Sequence, residues 1–185
     1  MRACQSIWVF GYGSLIWDPG FAFSSRVLAR LEGFRRSFCM RSIHHRGTVQ
    51  NPGLVLALDQ GNGFCDGVAF EIPMRIAEES LEYLRARELI SAAYLERSAP
   101  VMLHDGRSVK AVTYVIDRAH DQYCAGLSLE EQAQIIVRAN GGRGPNADYL
   151  FNTAAHLTDL GLEDPDLNWL ARRVRGLQGT DRARA

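Results

Sequence analysis

A single α+β domain is what this sequence predicts, on three observations. Short apolar segments punctuated by turn residues fill the first 117 residues, and helix start and stop signals crowd the rest. No internal repeat and no linker-like stretch separates the two regions. So many short strands joined by tight turns favour a mixed sheet that curls toward a barrel, with helices flanking it.

The candidate strands are residues 7–10, 26–31, 34–41, 54–59, 64–72, 94–103 and 108–116. Glu32-Gly33, Gly61-Asn62-Gly63 and Asp105-Gly106 read as hairpin-type turns between them. In the last strand Val109, Ala111, Thr113 and Val115 alternate with Lys110, Val112, Tyr114 and Ile116, so its far end reads as buried on both faces. Pro73 suits a first helical position, and a helix follows over 76–92. Ser128-Leu129-Glu130-Glu131 is a capping box whose helix stops at Asn140-Gly141-Gly142. Asn146 is placed to cap a second helix ending at Gly161, and Asp164-Pro165 opens a third that ends near Gly176. The domain is expected to span residues 1–178, with 179–185 a disordered tail that lacks an apolar anchor.

With 185 residues the chain can build one well-packed core and is slightly short for two. Its 21 basic and 21 acidic side chains cancel, which invites neither nucleic acid nor an anionic membrane surface as partner. No apolar run reaches the roughly 20 residues needed to cross a bilayer. Met1-Arg2-Ala3-Cys4 leads straight into a strand with no signal-peptide core, so the expected compartment is cytoplasmic. Cys4, Cys39, Cys65 and Cys124 are scattered and read as small buried hydrophobes. His44, His45, His104, His120 and His156 lack metal-ligand spacing, and no metal is expected.

Two features carry chemistry. In Val9-Phe10-Gly11-Tyr12-Gly13-Ser14-Leu15 a buried strand ends in two glycines flanking a tyrosine. Such a turn lets backbone N–H groups approach a carboxylate or phosphate, or it is merely a tight strand exit with no ligand. A dinucleotide site is disfavoured, because the third glycine would fall at Ile16 and Asp18-Pro19-Gly20 interrupts the helix that should follow. The second feature is Glu88. At 100° per residue Ala77, Leu81 and Leu84 form one stripe, and Glu88 is next on it. An acid there is either partly desolvated and suited to act as a base, or the face fans out near the helix end and leaves it in water or paired with Arg85 or Arg87. Glu78, Glu79, Glu82 and Glu96 read as solvated charge. The stretch Asn140-Gly141-Gly142-Arg143-Gly144-Pro145 lacks a P-loop Lys-Ser/Thr and reads as a connector between helices, unless Arg143 or the N-terminus of the next helix meets a substrate carboxylate. Tyr149, in the first turn of the helix after it, reads as core packing.

The segment Val9-Phe10-Gly11-Tyr12-Gly13-Ser14-Leu15-Ile16-Trp17 resembles the signature of the ChaC family of glutathione-specific γ-glutamylcyclotransferases, its bacterial members most. Gly33-Phe34-Arg35-Arg36-Ser37-Phe38, His45-Arg46-Gly47-Thr48, Arg87-Glu88 and Asn146-Ala147-Asp148-Tyr149-Leu150-Phe151 are similar to family segments in family order, over roughly residues 7–177. The resemblance implies the γ-glutamylcyclotransferase-like fold and cleavage of glutathione to 5-oxoproline and Cys-Gly without a cofactor. It implies Glu88 as the general acid/base. It also implies Val9, Phe10, Gly11, Tyr12, Gly13, Ser14 and Leu15, with Tyr149, as substrate-binding residues. One departure stands out: many members carry an acid before His-Arg-Gly where this chain has His44. A cyclotransferase for other γ-glutamyl amino acids or γ-glutamylamines, and a non-catalytic ligand-binding regulator on the same scaffold, are the alternatives.

Overall fold

The computed structural model describes residues 6–182, so Cys4 and the last three residues of the expected tail lie outside the described residues. The chain divides into two compact units. One comprises the residues up to Ser37 with Ala57–His120, and the other Phe38–Leu56 with the residues from Asp121 on. Two of its three cuts, at 37/38 and 56/57, fall inside long strands, and the third, at 120/121, lies near the point where strand-like segments give way to helix signals.

The first unit is built on a closed barrel in the order β1-β3-β2-β4-β5, with β3 also paired to β5. The strands are β1 (Ser6–Gly11), β2 (Ser25–Ser42), β3 (Gly53–Pro73), β4 (Tyr94–Leu103) and β5 (Ser108–Ile116). β1 runs antiparallel to β3 and parallel to β5, so the barrel is mixed as expected. Five strands replace the seven expected, because two supposed turns are bends within continuous strands. Gly33 (φ +81°) lies inside β2 and Gly63 (φ +148°) inside β3. A left-handed glycine in a strand inserts a bulge and adds twist without reversing the chain, which is how long strands wrap a barrel. Of the three expected turns, Asp105-Gly106 makes a hairpin, with Met102 opposite Ser108. Thr113, Tyr114, Val115 and Ile116 are all buried, as the double alternation in β5 predicts. Val9, Phe10, Leu58, Ala69, Phe70 and Ile72 are completely buried in this unit. Helix α1 (Met74–Glu88) follows β3 directly and stops at Glu88, not near Ala92.

In the second unit α2 (Leu129–Arg138) opens on the expected capping box. Ser128 Oγ accepts from the Glu131 N–H, and the Ser128 N–H donates to Glu131 Oε2 at 2.8 Å. Short strands β6 (Asn140–Gly141) and β7 (Gly144–Pro145) then lead to α3 (Asn146–Asp159) and α4 (Pro165–Arg182). Gly161, at φ +70°, stops α3 as a left-handed residue should. Gly176 and Gly179 stay helical, so α4 overruns its expected end and continues to Arg182, through part of the stretch expected to be disordered. Asn146 does not cap α3: it is the first helical residue, and its amide is used elsewhere. Cys39, Cys65 and Cys124 are buried, as expected. No described helix is long and apolar enough to cross a membrane.

Candidate active site

The glycine turn leaves the end of β1, where the barrel wall fixes its position. The Phe10 carbonyl accepts from Thr113 Oγ1 at 3.1 Å, and Gly11 is paired with Val68. A Cβ on Gly11 would come within 3.0 Å of Leu15 Cβ and 3.2 Å of Phe70, so a side chain there would have to push these neighbours back by a few tenths of an ångström. A Cβ on Gly67, across the ladder, would lie 2.4 Å from the Gly11 oxygen. The chain then makes one 3₁₀ turn over Ser14–Ile16. Its hydrogen bonds engage the N–H groups of Ile16, Trp17 and Asp18. Those of Gly13, Ser14 and Leu15 stand outside that ladder, as the first donors of any helical turn do.

Val9 and Phe10 are fully buried, and Leu15 nearly so, which leaves their backbone as the part that can meet a ligand. Tyr12 is also buried. Its hydroxyl donates to the Tyr114 carbonyl at 2.9 Å, and its own carbonyl accepts from Arg36 Nη1 at 3.0 Å. Arg36 Nη1 also donates to the Asp66 carbonyl, at 2.9 Å. Its signal in the sequence is an arginine in phase with Phe34 and Phe38, on the apolar side of β2.

Glu88 closes α1. Ala77, Ser80 and Leu84 are the buried residues of that helix, so the apolar stripe does lead to Glu88, whose side chain is 17% exposed. The desolvated and the paired readings both describe it. Arg87 Nε lies 3.2 Å from Glu88 Oε1, and the Arg87 side chain is only 6% exposed. The same guanidinium donates from Nη2 to Ser14 Oγ at 2.9 Å and from Nη1 to the Asp18 carbonyl at 2.7 Å. A single buried fork therefore joins the acid to the glycine turn. Spacing did not single out Arg87, because its importance lies in contacts some 70 residues away in sequence.

Glu96 is a correction to the sequence reading. It is no freely solvated charge: Arg85 Nε and Nη2 donate to its two oxygens at 2.8 Å each, and the Tyr114 hydroxyl donates to Oε2 at 3.1 Å. Arg85, first, and the Tyr114 hydroxyl hold the Glu96 carboxyl below the usual range. Burial, and then the nearby carboxylates of Glu96 and Glu88, push the Tyr114 phenol well above its ordinary value, so its proton stays in place. Asp66 is likewise engaged, paired with Arg30 through two bonds of 2.7 and 2.8 Å.

Tyr149 belongs to the second unit. It is buried, packs edge-on against Phe38, and its hydroxyl accepts from the Leu56 N–H at 3.3 Å. Beside it Arg46 donates to the carbonyls of Arg143 and Pro145. Asn146, completely buried, clamps Leu54 through both its N–H and its carbonyl at 2.7 Å. The glycine-rich connector grips the His44-His45 loop: Gly142 N–H donates to the His44 carbonyl and Arg143 N–H to that of His45. The Arg143 side chain is exposed. Arg46, the centre of the His-Arg-Gly segment, thus has a local structural task.

The ChaC-like protein family model matches residues 7–177 of this chain. The glutathione-specific γ-glutamylcyclotransferase of Escherichia coli K12 is 39% identical over 171 residues, 92% of this chain and 74% of that protein. The enzyme of the same name from Schizosaccharomyces pombe is 36% identical, covering 88% of each chain. Among solved structures, a yeast γ-glutamyl cyclotransferase specific to glutathione superposes with a TM-score of 0.84 at 25% identity, over 93% of this chain and 96% of that one. Barrel, glycine turn and Arg87-Glu88 thus lie within residues 7–177, the stretch that the family model matches, and the chain is a member of the ChaC-like family.

Proposed function

We propose that this chain is a glutathione-specific γ-glutamylcyclotransferase, a lyase that releases 5-oxoproline and Cys-Gly. The observation that carries the assignment to the site is the Arg87 fork, which holds a shielded carboxylate, Glu88, beside the turn of residues 11–15.

In this reaction nucleophile and electrophile belong to one molecule. The α-amine of the γ-glutamyl group attacks its own γ-carbonyl, a five-membered ring closes, and the C–N bond to cysteine breaks. Holding the glutamyl chain folded supplies much of the acceleration, since effective molarities for such closures are very high. The backbone N–H groups of Gly13, Ser14 and Leu15 receive the substrate α-carboxylate. Glu88 takes a proton from the α-ammonium, which frees the nitrogen lone pair, and later returns one to the departing nitrogen. Arg87 supplies a counter-charge to Glu88 and fixes its distance from the turn. A protein that only bound a ligand would gain nothing from a carboxylate tied to the anion-binding turn, which disfavours the regulator reading.

The test is product analysis by mass spectrometry after incubation with glutathione, wild type beside Glu88→Gln. Wild type alone should release 5-oxoproline and Cys-Gly. Equal activity of Glu88→Gln would remove Glu88 from the mechanism. Release of 5-oxoproline only from other γ-glutamyl dipeptides would overturn the substrate.

A further inference from the structure

Glu88 is held by more than Arg87. Arg85 stands three residues before it, on the neighbouring surface of the last turn of α1. It reaches Glu96 on β4 with both prongs of its guanidinium, at 2.8 Å each. Glu96 faces Tyr114 directly across the β4–β5 ladder and accepts from its hydroxyl at 3.1 Å. The backbone carbonyl of the same Tyr114 accepts from the Tyr12 hydroxyl at 2.9 Å. Tyr12 lies in the glycine turn, two residues before Ser14, and Ser14 Oγ accepts from Arg87. The contacts therefore close a ring: turn, Tyr114, Glu96, Arg85, last turn of α1, Arg87, turn.

An Arg–Glu pair as exposed as this one, 47% and 28%, adds little to stability by itself. Its bidentate geometry and its buried tyrosine give it a different use. A chain end anchored once can swing, whereas one anchored on both sides of the acid cannot. We propose that Arg85, Glu96 and Tyr114 are positioning residues that fix the Glu88 carboxylate relative to the glycine turn without touching substrate. This rests on the reading of Glu88 as the acid/base.

Glu96→Gln keeps the shape of the side chain and removes the charge that draws Arg85. Tyr114→Phe keeps the ring and removes the link. Since a misplacement near 1 Å costs on the order of 10²-fold in rate, partial loosening should lower kcat about 10-fold in each variant, with KM within about twofold of wild type. Because both variants open the same ring, the double variant should lose little more than either single one. Arg173→Gln, which breaks an exposed pair in the other unit, is the control and should keep full kcat. Unchanged kcat in Glu96→Gln and Tyr114→Phe, a change confined to KM, or simple multiplication of the two losses would each overturn the proposal. Glu88→Gln is assayed alongside. If it is inactive while Glu96→Gln is fully active, the ring alone fails; if Glu88→Gln is active, the assignment of the acid/base fails and takes the ring with it.

Discussion

Replacing Arg87 by lysine keeps the positive charge and removes the fork, so it isolates geometry from charge. Arginine at this position serves the Ser14 hydroxyl at 2.9 Å, the Asp18 carbonyl at 2.7 Å and Glu88 at 3.2 Å. A lysine ammonium on its flexible stem reaches one of these three at a time. Two charge-assisted bonds are then lost, each contributing about 1.5–3 kcal/mol. The Asp18 region is half exposed and rehydrates in part, whereas Ser14 and Glu88 are more shielded. The expected loss is about 2–3 kcal/mol, a fall in Tm of about 5–10 °C for a chain of this size. The turn also loses its tie to the acid, so kcat/KM toward glutathione should drop by about 10- to 100-fold. Thermal unfolding followed by circular dichroism, beside a 5-oxoproline release assay, reads both. A Tm within about 2 °C of wild type together with kcat/KM within about twofold would refute the view that this fork couples turn and acid.

Two predictions concern the second unit. Gly141→Ala would place a Cβ 2.4 Å from the Gly47 nitrogen and 2.6 Å from the His45 oxygen, backbone atoms that cannot swing aside. It should cost about 2–3 kcal/mol in urea denaturation, and a neutral result would show that the loop yields. The pair between α2 and α4 should be sensitive to acid. Arg173, then Gln134, pull the Glu130 carboxyl from 4.5 down to about 2, so the pair stabilises the fold above the unfolded value and is lost as pH falls through that window. The urea midpoints of wild type and Arg173→Gln should differ at pH 7 and converge near the lower end of that window, with a smaller gap at high salt because both groups are exposed. A gap that persists at the acid end would contradict the pair as its source.

Sequence alone determined the local features. Alternation and turn residues located the strands, the Ser128 box started α2, and a stripe of Ala77, Leu81 and Leu84 pointed at Glu88. Residue types in order also carried the family, because a signature is a linear pattern. Gly33 and Gly63 escaped this reading, since a glycine between two apolar runs looks the same whether the strand reverses or bends. Only closure of the barrel distinguishes the two. Gly176 looked like a helix stop for the same reason: a stop needs a left-handed backbone, which Gly161 adopts and Gly176 does not. Asn146 looked like a cap, yet its amide went to Leu54, 92 residues away in sequence. Tertiary structure alone decided the contacts between distant segments: Arg87 on Ser14, Arg85 on Glu96, Tyr12 on Tyr114. Hydrogen bonds and ion pairs depend on distances of a few tenths of an ångström, and such distances between remote residues exist only once the barrel has closed.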